Sequence, residues 1–306
     1  MMGGRIVVGV DGSAPATAAV EWAAADARRR GLALRLVHVC EQWASAVGST
    51  EYCSGVLEAA AERARSLAPD ADVSTGMLSG GVIDALVGES ALAESMVLGS
   101  RGLGGFAGMV LGSVSMAVAG HAACPVVVVR GTAVVQHGQV VVGYDGSEHS
   151  QAAMRYAVEQ ARARDAQLHV VYAWQLPVFS PYAAGYGPLL EDAYQQEVKM
   201  AADRVVPWRE KNPDVRIVDD QVCEHPVSAL MKAALTADLV VIGSRGLGGF
   251  ASAVLGSVSH GVLHHVACPV AVVRPRKERP GQERHGHERP MQERAAAQER
   301  PGKERT

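Results

Sequence analysis

The chain repeats itself, and the repeat limits the folds open to it more than any other feature. Residues 7–13 read VVGVDGS and residues 141–147 read VVGYDGS. Residues 99–115, GSRGLGGFAGMVLGSVS, return at 243–259 as GSRGLGGFASAVLGSVS, and the segments 123–126 and 267–270 are both ACPV. The opening match is offset by 134 residues and the two later ones by 144. The second copy therefore holds about ten extra residues between its second strand and its Gly-rich loop, and segment 176–190 (LPVFSPYAAGYGPLL) is the place for them. A chain of 306 residues then divides into two domains of ordinary size. These are 1–131 and 139–275, with a linker at 132–138 and a tail at 276–306.

Within each copy, short apolar runs alternate with helical periodicity. Strands are expected at 5–10, 32–39, 71–78, 96–99 and 125–130, and again at 139–144, 168–173, 216–222, 239–242 and 269–274. Ser13 is placed as a helix N-cap with Pro15 in the first turn, and Gly31 as the stop. The alternation predicts an α/β fold of two tandem doubly wound domains, each a parallel sheet covered by helices. Near-continuous Val, Ile and Leu agree with strands buried on both faces. The fifth strands present bare edges, so the halves are expected to pair there as an internal pseudo-dimer. Trp22 and Tyr156 recur at equivalent helix positions and read as core. The tail, with its repeated Glu-Arg pairs and few apolar residues, reads as disordered.

Ligands of such sheets sit beyond the C-terminal strand ends, and both repeated motifs fall there. Asp11 and Asp145 follow the first strands, just after Gly9 and Gly143. After the fourth strands come Gly-x2-Gly-x9-Gly-Ser segments: Gly99, Gly102, Gly112 and Ser113, then Gly243, Gly246, Gly256 and Ser257. Glycine lets backbone approach an anion and take positive φ. The Gly-Ser pair opens a helix whose first N–H groups point outward, a ready phosphate site. Ser113 and Ser115, or Ser257 and Ser259, are expected to add hydroxyl donors, and Arg101 and Arg245 to supply charge. The segments Ser100, Leu103, Gly104 and Gly105, and Ser244, Leu247, Gly248 and Gly249, complete the two loops.

By these motifs each half resembles the ATP-binding subgroup of the universal stress protein family, across nearly all of 5–274. The resemblance implies a five-stranded sheet of order 3-2-1-4-5 and two adenine-nucleotide sites. It implies Asp11 and Asp145 on the ribose or metal side, with magnesium arriving on the nucleotide. It implies Val39 and Ala173 beside the adenine, and Gly112 to Val114 and Gly256 to Val258 on the phosphates. The function it implies is a nucleotide-dependent stress regulator, cytoplasmic, with an unidentified protein partner and a homodimer of the whole chain.

Other classes fare worse. A P-loop needs a phosphate-contacting lysine, and the first copy contains no lysine at all. The run Gly102-Leu103-Gly104-x-x-Ala107 imitates a dinucleotide fingerprint but follows the fourth strand, without the acidic residue that motif requires. Nothing beyond Asp11 and Asp145 marks a general base, so no catalytic residue is assigned and at most slow ATP hydrolysis or nucleotidyl transfer is expected. The remaining alternative is a scaffold with degenerate sites. A net charge of −3 draws the chain to neither nucleic acid nor anionic membrane, and no apolar run approaches the length of a membrane span. Five cysteines with no Cys-x-x-Cys pair lead us to expect reduced thiols and no zinc site. Cys124 and Cys268, each before a proline, are expected to be buried.

Overall fold

Ten strands form one continuous sheet of order β3-β2-β1-β4-β5-β10-β9-β6-β7-β8 in the computed structural model. The structure describes residues 4–40, 49–103, 111–131, 135–175, 187–247 and 254–275. The tail, most of the 176–190 insertion, Gly104, Gly105, Gly248 and Gly249 lie outside the described residues.

The first half runs β1 (Arg5–Gly9), α1 (Ala14–Arg30), β2 (Ala33–Cys40), α2 (Ser49–Leu67), β3 (Val73–Ser79), α3 (Val82–Ser90), β4 (Ser95–Gly99), α4 (Ser113–His121) and β5 (Val126–Val129). The second runs β6 (Gln139–Gly143), α5 (Glu148–Arg164), β7 (Gln167–Trp174), α6 (Gly187–Lys211), β8 (Ile217–Cys223), α7 (Pro226–Ala233), β9 (Leu239–Gly243), α8 (Ser257–His265) and β10 (Val270–Val273). Within each half every strand pair is parallel, in the expected order. Ser13 caps α1, accepting from the Ala16 N–H, and Gly31 closes it in the left-handed conformation, where a side chain would be strained. The central strands β4, β5, β9 and β10 are buried at nearly every position, because helices cover both faces.

The halves meet where bare edges were expected. β5 and β10 pair antiparallel, with Val127 opposite Ala271. Helices seal both faces of this seam. On one face Asp26 of α1, fully buried, accepts from Arg164 of α5 (2.8 Å) and from Arg30 (3.3 Å). Gln160 joins the cluster through its amide nitrogen. The Arg164 guanidinium lies 5.1 Å above the Trp22 ring, so Trp22 serves the seam as well as the core. Tyr156 is buried there too. On the other face Arg130 donates to the Leu263 carbonyl of α8, and Arg274 to the Gly120 carbonyl of α4. Each arginine thus caps the C-terminal end of the other half's helix, the end that attracts positive charge.

Candidate functional site

The antiparallel seam points the C-terminal strand ends of the two halves in opposite directions along the strands, and one candidate cleft lies at each of these ends. In the first, the turn after β1 is shaped by Gly12, whose φ of +85° only glycine adopts without strain. The turn lets one oxygen of Asp11 accept the Ser13 N–H (3.0 Å) while the other accepts the Leu103 N–H (2.9 Å). The second cleft repeats this, with Gly146 at +83° and Asp145 accepting from Ser147 and Leu247, both at 3.0 Å. The carboxylate is therefore a clasp between the β1 turn and the Gly-rich loop. Burial pushes the Asp145 pKa up, but hydrogen bonds from Ser147, Ser150 and Leu247 outweigh it, leaving the carboxyl below its usual range.

Four glycines of the two long motifs, Gly99, Gly102, Gly243 and Gly246, sit at close approaches. A Cβ on Gly99 would stand 2.6 Å from the Pro15 backbone, and one on Gly243 2.8 Å from that of His149. The end of the fourth strand here touches the first turn of the half's leading helix. A Cβ on Gly102 would stand 2.5 Å from Asp11 Oδ2, and one on Gly246 2.6 Å from Asp145 Oδ2. Among the described residues no motif glycine has positive φ, contrary to expectation. That conformation belongs to Gly12 and Gly146 of the Asp-Gly-Ser turns.

Gly112 and Gly256 are the N-caps of α4 and α8, in extended conformation and with no side chain capping the helix. Their own N–H groups donate to Ser100 and Ser244 carbonyls at 2.7 and 2.8 Å. The first-turn N–H groups of Ser113 and Val114, and of Ser257 and Val258, have no intrahelical partner. Ser113 and Ser257 are exposed beside them. Ser115 and Ser259 differ from expectation. Both are buried, and their hydroxyls donate inward to the Gly99 and Gly243 carbonyls at 2.6 and 2.7 Å. A hydroxyl has one hydrogen to give, so these two hold the helix to the strand end and have no proton for a ligand. Ser100 and Ser244 are likewise buried. Their N–H groups extend β4 and β9 by donating to Val129 and Val273. Arg101 flanks the first cleft and Arg245 the second. Gly9 and Gly143 sit under Leu98 and Leu230. Val39 and Ala173 are half-buried at the cleft ends of β2 and β7.

Two features of the clefts escape a motif reading. His149, where the first copy has Pro15, places Nδ1 2.9 Å from Ser244 Oγ, and burial together with Arg245 lowers its pKa. Beside the first cleft, Cys40 and Cys53 are joined as a disulfide 13 residues apart, against the expectation of reduced thiols throughout. No motif spacing announces the pair, because the β2–α2 packing creates it. Of the remaining thiols, Cys124 is buried as expected, Cys268 is only half-buried although desolvation pushes its pKa up to about 12, and Cys223 is exposed. Among the described residues, no helix is long and apolar enough to cross a membrane.

Residues 2–130 and 137–274 each match the model of the universal stress protein family. A universal stress protein of Mycobacterium tuberculosis is 37% identical over 303 residues, covering 88% of this chain and 94% of that protein. One from Mycolicibacterium smegmatis is 34% identical over 289 residues, covering 89% and 97%. Among solved structures, a universal stress protein from Archaeoglobus fulgidus superposes with a TM-score of 0.66 at 20% identity, covering 88% of this chain and 96% of that one. At that identity the likeness speaks for the fold.

Proposed function

The chain belongs to the universal stress protein family, and on that premise we propose that each half binds an adenine nucleotide, ATP foremost, and that the protein acts as a nucleotide-dependent regulator. One observation supports this most. In both clefts an uncapped helix N-terminus opens at the end of a Gly-rich loop that an aspartate clasps to the turn after the half's first strand, and a Cβ on Gly102 or Gly246 would collide with that carboxylate. Free first-turn N–H groups and the helix dipole favour a phosphate. The N–H groups of Ser113, Val114, Ser257 and Val258 are the donors, with Arg101 and Arg245 alongside. Val39 and Ala173 form the apolar end that suits a base. Asp11 and Asp145 keep acceptor capacity for a ribose hydroxyl or a nucleotide-bound magnesium ion.

The same geometry argues against fast turnover. Both oxygens of each aspartate already hold loop N–H groups, so neither is poised as a free base. Nucleotide would contact the Gly-rich loops and change a surface read by a protein partner or by a second copy of the chain.

Protein purified without added nucleotide, denatured and examined by mass spectrometry, should release adenine nucleotide. Calorimetry on the stripped chain should find two ATP per chain. No released nucleotide together with no ATP binding would sink the proposal. Steady-state hydrolysis near 1 s⁻¹ or above, a rate typical of enzymes, would replace regulator with enzyme if Asp11→Ala plus Asp145→Ala abolished it.

A further inference from the structure

His38 and Cys40 are two residues apart on β2, so both side chains lie on one face of the strand. That face packs against α2: Leu34 and Leu36 share a buried cluster with Leu57, Ala61 and Ala64. Cys53, in the second turn of α2, completes a triangle in which one ligand atom from each residue lies within 4.8 Å of the others. His38 and Cys53 are buried and Cys40 half-buried. His38 Nδ1 sits 2.7 Å from the Val10 carbonyl oxygen. A carbonyl only accepts, so Nδ1 is the donor here, and Nε2 is the ring nitrogen left to face a metal. This arrangement also fixes the ring and the tautomer of metal-binding histidines.

We propose that, with Cys40 and Cys53 reduced, His38, Cys40 and Cys53 form a binding site for a thiolate-preferring metal of the zinc class, one per chain. Zinc takes sulfur at about 2.3 Å and nitrogen at about 2.0–2.1 Å, which puts two tetrahedral sulfur ligands about 3.8 Å apart. The Cα atoms of Cys40 and Cys53 stand 6.4 Å apart, close enough for both sulfurs to reach one ion. Two thiolates and an imidazole select zinc or copper(I) over magnesium or calcium. Three protein ligands leave a fourth position for water.

The disulfide and the metal exclude each other. A dithiol reductant gives two electrons and two protons to the Cys40–Cys53 bond, becomes a disulfide itself, and leaves two thiols. Metal binding then expels one proton from each thiol. A peroxide reverses this: it takes two electrons from the metal-bound thiolates, becomes two waters with two protons from solvent, and the new disulfide releases the ion. The second half supplies the internal control. By the offsets of 134 and 144, Tyr172, Trp174 and Glu197 stand where His38, Cys40 and Cys53 do. There Tyr172 donates to Glu197, and Trp174 packs 5.5 Å from both Tyr172 and Tyr194. That set holds the strand to the helix by aromatic packing and a hydrogen bond, with no sulfur.

The test is cobalt(II) titration of the full chain, reduced with a phosphine and freed of metal by chelator. A thiolate-to-cobalt charge-transfer band should grow to one equivalent and bleach on adding zinc. It should vanish with diamide and return on reduction. Cys40→Ser and Cys53→Ser should each abolish it, His38→Gln should weaken it, and Cys223→Ser should leave it intact. Where a variant fails to fold, the wild-type chain still decides. Zinc should protect Cys40 and Cys53 from alkylation, read by peptide mass spectrometry, while exposed Cys223 reacts. No band in the reduced chain, a band that survives Cys40→Ser plus Cys53→Ser, or equal alkylation with and without zinc would overturn the site.

Discussion

A methyl group on Gly102 would stand 2.5 Å from Asp11 Oδ2, and one on Gly246 2.6 Å from Asp145 Oδ2. Each alanine would push its carboxylate off the loop N–H it clasps. Gly102→Ala is expected to weaken nucleotide binding about tenfold, equal to about 1.4 kcal/mol, in the first cleft alone. Calorimetry should then resolve one tight and one weak site, and Gly246→Ala should give the mirror result. Equal affinities in either variant would remove the clasp from the binding mechanism. The sequence pattern made these loops visible because their spacing recurs twice. It hid what each glycine is for: Gly99 answers to Pro15 and Gly102 to Asp11, partners far away in sequence. His149 was hidden for the same reason, since Ser244 reaches it only in the fold. Its folded pKa is depressed by burial and Arg245, so the unfolded chain takes up this proton first. The stabilising contribution is complete above the unfolded value of about 6.5 and fades as pH falls from there toward the lower folded value. The wild-type chain should lose more unfolding free energy than His149→Gln between about pH 7.5 and pH 5.5. Parallel losses in urea titrations would contradict this.

At the scale of elements, the second-half strands agree with the periodicity to within one or two residues; in β6, β7, β9 and β10 burial on both faces leaves apolar runs. α2 starts at Ser49, and that start carries Cys53 to the end of β2. The α1–α5 contact was not legible. Asp26 sits among alanines in a helix and reads as a solvated charge until the other half is placed against it. It is fully buried and holds two arginines, Arg164 being almost fully buried as well. Removing one partner of a buried charge cluster typically costs about 3–5 kcal/mol, because the others stay buried and unpaired. Asp26→Ala should lower the unfolding free energy by about that much, measured by urea denaturation. Asp26→Ala with Arg164→Met should recover part of the loss, and an additive double mutant would show that the two side chains do not act as a pair.

At the scale of the whole molecule, the antiparallel seam sends the two clefts to opposite strand ends of one sheet, and the helices beside the seam run between those ends. α4 begins at the uncapped N-terminus of the first cleft and ends against the second half. A Cβ on Gly120 would lie 2.2 Å from Val254 Cγ1 and 3.5 Å from Leu255. Those two residues lead directly into Gly256, the N-cap of α8 in the second cleft. Valine is stiff at χ1, so a side chain at residue 120 presses Val254 and Leu255 against the start of α8. Ser113, at the other end of α4, is seven residues back, about 10 Å along the axis, and is buttressed locally by Ser115 on Gly99. Gly120→Val is therefore expected to weaken nucleotide binding in the second cleft several-fold while the first keeps its affinity. Placing the substitution in a Gly102→Ala background, where the first cleft is already weak, isolates the second in calorimetry. Unchanged affinity there, in a chain that unfolds as the parent does, would mean that the seam joins the halves without setting the shape of either cleft.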